Sequence, residues 1–152
     1  MKYIFTLVLS LTFITTFAQE QEKENVKATI EAFFEAFHKQ DTLSLKSMAT
    51  ESVIMQSIGQ NKESNVRLNQ SDYAQFLKSI ASIPKDKTFE EKLLSFNIQV
   101  DGAMANAWTP YEFWFNGNFS HCGVNSFQLM KIDGDWKIIY LVDTRRREGC
   151  NQ

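Results

Sequence analysis

The sequence predicts an α+β fold in which N-terminal helices pack on a strongly curved antiparallel sheet, forming a cone. Three observations carry this. Apolar residues recur every three or four positions between Glu22 and Lys39, and long strand-forming runs between Met104 and Thr144 are separated by Asn116-Gly117 and Asp133-Gly134. Helices come first and strands last, an order that segregates the two layers.

The elements follow in chain order. Residues 1–18 carry Lys2, a mostly apolar or Ser/Thr run from Tyr3 to Phe17, then Ala18, with Thr16 two residues before it; this is the layout of a cleavable export signal. The run is shorter than the roughly 20 residues needed to cross a bilayer and acids follow at Glu20, Glu22 and Glu24, so no stable membrane anchor is expected. A single domain at 19–152, periplasmic or extracellular, is the expectation. Val26, Ile30, Phe33, Phe34 and Phe37 mark one face of an amphipathic helix. Asp41 is placed to cap a shorter helix carrying Leu45 and Met48. A strand is predicted at 52–58, a connection with at most a short strand at 60–70, and a third helix from Ser71 presenting Tyr73, Phe76, Leu77 and Ile80 until Pro84. Leu94, Phe96, Ile98 and Val100 alternate with polar residues, and with the three C-terminal strands they predict a four-stranded meander. Closed by helices on one side, such a sheet encloses an apolar and aromatic hollow.

Charge and motifs exclude several classes. The chain has sixteen Lys and Arg against eighteen Asp and Glu; removing Lys2 with the signal leaves a net charge of −3, which disfavours nucleic acid as a partner. Two histidines without Glu-x-x-His or Cys-x-x-Cys spacing supply too few ligands for a metal, and no phosphate loop or nucleophile elbow is present. No cofactor is expected. Cys122 and Cys150, an even pair in an exported chain, are expected to form a disulfide closing a loop of about 27 residues, with a contribution of roughly 3 kcal/mol.

The segments EAFFEAFHKQDTLSLKSM (31–48), AWTPYEFWFNG (107–117), HCGVNSFQLMKIDGDWKI (121–138) and DTRR (143–146) resemble the nuclear transport factor 2-like superfamily. Within it the chain is most similar to the small exported branch described as putative lumazine-binding or polyketide cyclase-like. The resemblance implies the cone, and a homodimer formed through the sheet. It also implies a choice of functions, because this fold hosts isomerases, dehydratases, cyclases and non-catalytic binders.

Candidate site residues follow from strand parity. A two-residue loop at Asn116-Gly117 puts Glu112 and Trp108 on the His121 side, whereas a three-residue loop puts Tyr111 and Phe113 there; both remain open. At Asp133-Gly134 a two-residue loop pairs Leu129 with Ile138, Phe127 with Tyr140, Asn125 with Val142 and Gly123 with Thr144. That face is the more apolar and is assigned to the interior, with His121, Asn125 and the Tyr140 hydroxyl near the rim. Val124, Met130, Ile139 and Leu141 then fall on the outer face. Trp108, Phe113, Asn125, Phe127, Tyr140 and Arg145 are the candidate ligand-binding residues, Arg145 as a clamp for an anionic group. For acid–base chemistry the candidates are His121 as base, Tyr111 or Tyr140 as donor and Asp143 as orienter, although regular alternation turns Asp143 outward. His38 is expected to cap its helix, favoured when protonated. The leading expectation is a binder of a small apolar or aromatic molecule; the alternatives are a cofactor-free isomerase, dehydratase or cyclase, and a structural or interaction module.

Overall fold

The computed structural model describes residues 2–61 and 63–150, with side chains from Gln19 onward. The export signal at 1–18 therefore lies outside the residues whose side chains are described. Three helices, α1 (Lys2–His38), α2 (Thr42–Met48) and α3 (Tyr73–Ala81), pack on a seven-stranded sheet. Its strands are β1 (Ala49–Gln60), β2 (Val66–Ser71), β3 (Phe89–Leu93), β4 (Asn97–Asp101), β5 (Met104–Phe115), β6 (Asn118–Ile132) and β7 (Asp135–Thr144). Among the described residues, no helix is long and apolar enough to cross a membrane.

The helices start and stop where side-chain chemistry says they should. Asp41 Oδ1 accepts from Ser44 N at 3.1 Å and Asp72 Oδ1 from Gln75 N at 2.8 Å, each satisfying a donor that the first turn leaves free. Along α1, Val26, Ile30, Phe33 and Phe34 are buried. Phe33 and Phe34 meet Phe127 of β6 edge-on, with ring centroids 6.3 and 6.1 Å apart.

The sheet runs β2-β1-β7-β6-β5-β3, with β4 also on β5. The meander β4 to β7 is antiparallel as expected, but β1 lies parallel to β7, so the sheet is mixed. β1 extends beyond 52–58 at both ends and runs through Gly59; β2, within the stretch read as a connection, forms a six-pair hairpin with it. The strand predicted over Leu94–Val100 is shortened to β4, residues 94–96 form a break, and β3 precedes the break as a strand that was not predicted. Pro110 explains the break. Its carbonyl accepts from Leu94 N at 2.9 Å, so its nitrogen faces the same edge and offers that edge no donor.

Both hairpins turn on two residues with positive φ, Asn116 and Gly117 (48° and 74°) and Asp133 and Gly134 (52° and 93°). Each is followed by a bulge. Ser120 is inserted between the pairs Trp114–Phe119 and Phe113–His121, and Ile139 between Leu129–Ile138 and Gln128–Tyr140. A bulge adds one residue to one strand and so exchanges the faces of every residue beyond it.

Candidate functional site

Those two exchanges decide what shares the concave face. Beyond Ser120, His121 pairs with Phe113 and Gly123 with Tyr111, the outcome predicted for the longer loop although the loop itself has two residues. Beyond Ile139, Leu141 pairs with Phe127 and Asp143 with Asn125. Asp143, expected to face outward, therefore faces inward beside Asn125. Tyr140, expected inward, faces outward, where its hydroxyl donates to Gln56 Oε1. Leu141 moves the other way, from the outer face to the core, at 7% exposed.

The concave face divides into an apolar part and a polar rim. In the apolar part Phe127 and Leu129 are fully buried and Ile138 is 1% exposed, in one core with Val26, Ile30, Phe33 and Phe34 of α1. At the rim, Asn125 Nδ2 donates to Glu91 Oε1 at 2.6 Å. The Tyr111 hydroxyl lies 3.0 Å from the Thr144 carbonyl and 3.3 Å from Asp143 Oδ2, and Arg145 Nε donates to the same Asp143 oxygen at 2.8 Å. The His121 ring stacks on Phe113 at 4.9 Å and meets Tyr111 edge-on at 5.8 Å. Thr109, directly across from Asn125, is fully buried, and among the described residues its Oγ1 has no hydrogen-bond partner.

Burial sets the protonation states. It raises the Glu91 carboxyl to about 7, with Asp143 adding to the rise and the Asn125 hydrogen bond opposing it. The His121 imidazole is held below the usual range by burial and by the charge of Arg145, which favours the neutral ring. Burial also raises Tyr111, so its proton stays in place. His38, expected to be a protonated cap, is a neutral acceptor: burial lowers it, and Nε2 takes the backbone N–H of Glu91 at 2.9 Å.

Glu91 is the residue that sequence reasoning passed over. It sits in Phe-Glu-Glu-Lys-Leu, where Phe89, Glu91 and Leu93 alternate on one face, and that alternation was the available signal. Of the candidate ligand residues, Phe113, Asn125 and Arg145 belong to the rim and Phe127 lies beneath α1. Trp108, 53% exposed, and Tyr140 stand on the convex face. Arg146 pairs with Cys122 through the backbone in both directions. Cys122 and Cys150 are disulfide-bonded, fastening the C-terminal strap beside His121. Among the described residues no group of three His, Cys, Asp or Glu is arranged to hold a metal ion. Chemically, the rim combines a carboxyl that can exchange a proton near neutrality, a neutral imidazole and a guanidinium–carboxylate pair. Separate from it, a cleft of about 930 Å³ lies between α2, α3 and the start of β1.

Solved structures share this architecture. A protein of unknown function from Mycobacterium tuberculosis superposes with a TM-score of 0.70 at 14% identity, over 88% of this chain and 77% of its own. An NTF2-like (nuclear transport factor 2-like) protein with a cystatin-like fold from Novosphingobium aromaticivorans gives 0.68 at 14%, over 92% of each chain. A protein from Streptomyces avermitilis, described as a putative dehydratase from the NTF2-like family, gives 0.64 at 16%, over 84% of this chain and 97% of its own. At such identities the likeness shows the fold alone. No curated protein matches the chain. The family model described as putative lumazine-binding matches residues 21–142, most of the domain built above, and the chain belongs to that family.

Proposed function

We propose that this protein is an exported binder of a small molecule, taken at the polar rim of the cone rather than deep in its apolar part. The observation that carries this is the Thr109–Asn125–Glu91 group. A buried hydroxyl without a partner and a half-buried carboxyl held by one amide cost stability, and a bound ligand would satisfy both. The family's description, which names a small-molecule ligand, supports the same class. A thermal-shift screen of the purified protein tests it: heteroaromatic and polar aromatic compounds should raise the melting temperature, and a screen in which none does removes the proposal. Export has its own check, since full-length chain expressed in a bacterial host should yield a periplasmic or secreted product beginning at Gln19.

A second reading, a cofactor-free isomerase, dehydratase or cyclase, is favoured by the carboxyl of Glu91 being poised near 7, suited to moving a proton at neutral pH. The likeness to a protein described as a dehydratase is consistent with it. Here Glu91 is the proton carrier and His121 a neutral acceptor, while the Tyr111 proton is committed to the Thr144 carbonyl. Turnover that survives both Glu91→Gln and His121→Ala would end this reading.

We also propose a homodimer through the convex face. Ile54, Met104, Trp108 and Met130 stand there, 41–57% exposed, a concentration of apolar surface that a lone domain rarely leaves bare.

A further inference from the structure

We infer that the rim selects a flat organic cation, a ring bearing an amidinium- or ammonium-type nitrogen, over neutral or anionic rings of the same size. This rests on the ligand-binding reading and specifies its chemistry.

The inference comes from counting donors and acceptors. Three donors of the rim are engaged, Asn125 Nδ2 on Glu91, the Tyr111 hydroxyl on Thr144 and Asp143, and Arg145 Nε on Asp143, while the free Nη groups belong to a side chain that is 60% exposed. The acceptors are not. Among the described residues, no donor reaches Glu91 Oε2, Asp143 Oδ1 or Asn125 Oδ1, and Thr109 Oγ1 has no partner of either kind. A molecule seated over Glu91, Asn125 and Thr109 meets open acceptors and gains by bringing N–H groups.

Charge points the same way. The groups facing Glu91 are His38 from α1, Tyr111 from β5, Asn125 from β6, Asp143 from β7 and Arg145 from the strap. His38 accepts a backbone hydrogen bond and is neutral, and Arg145 is already paired with Asp143. Ionised Glu91 thus shares the Arg145 guanidinium with Asp143, two carboxylates against one cation. Removing such a group from water is costly until an opposite charge arrives. An incoming cation supplies it, and the stacked Phe113 and His121 rings, with Tyr111 edge-on, provide flat surface for the body of the ligand. An anion aimed at Arg145 would meet Asp143 on the same guanidinium and Glu91 behind it.

Titration calorimetry with benzamidinium, benzamide and benzoate, on the protein purified from full-length expression, provides the test. Benzamidinium should bind at least tenfold more tightly than either relative at pH 8. Its affinity should fall with acidification below pH 7, approaching tenfold per pH unit, because Glu91 must give up its proton to bind. Glu91→Gln should erase both the preference and the pH dependence. Thr109→Val, which keeps the shape and the charges, should weaken benzamidinium severalfold and leave the pH dependence intact. Equal or tighter binding of benzoate or benzamide, or a benzamidinium affinity that ignores pH, overturns the inference. If neutral aromatics bind while benzamidinium does not, the inference falls and the ligand-binding reading stands; if no compound in the wider screen binds, both fall.

Discussion

The apolar part and the rim of the concave face are made by the same three strands, β5, β6 and β7, yet they are finished in opposite ways. In the apolar part the inward side chains of the strands share one core with α1 and are almost wholly buried. At the rim the partners are other strand residues and a short strap, and polar groups outnumber the bonds available to them. Close packing and unsatisfied polarity thereby occupy different ends of one surface.

The sharpest way to break that division is to attack the apolar part. Phe127→Ala removes a fully buried ring that two α1 phenylalanines touch, and should cost about 3–5 kcal/mol in urea unfolding. Next comes the strap: replacing Cys122 and Cys150 with serine should cost about 3 kcal/mol through the freed loop, with a lower melting temperature as readout. At the rim the sign reverses. Folded Glu91 keeps its proton up to about pH 7 whereas the unfolded chain loses it near 4.5, so its contribution is full below 4.5 and drains away as pH rises to 7. Glu91→Gln should therefore stabilise the protein at pH 8 by on the order of 2 kcal/mol and flatten its stability between those pH values. A destabilising Glu91→Gln would place Glu91 with the core. The smallest effect belongs to the convex face, where Trp108→Ser should leave monomer stability within about 0.5 kcal/mol while lowering the mass seen in sedimentation.

What could be read in advance follows from where local chemistry decides. The helix caps at Asp41 and Asp72, the two hairpin turns and the faces of α1 are set by neighbours within a few residues, and the sequence shows them. Pairing β1 with β7 joins residues more than eighty positions apart, and no periodicity reports it. The bulges at Ser120 and Ile139 carry no glycine or other local mark, so strict alternation put Tyr140 inside and Asp143 outside. The rim was therefore the least legible region, because one unmarked residue in each of two strands determines its membership. Glu91 was missed because its five-residue strand, ending at the break opposite Pro110, lies before the strand expected from Leu94.

Gly123 has a consequence for how this surface can change. A β-carbon there would lie 1.7 Å from the Thr144 carbonyl oxygen and 2.8 Å from the Tyr111 ring, so the last strand closes on β6 only because the position is bare. A single added methyl would push that carbonyl away and release the phenolic hydrogen now bound to it. The same scaffold would then present an unengaged phenol beside Glu91 and His121, changing the hydrogen bonding of the rim by one substitution at a position that carries no side chain of its own.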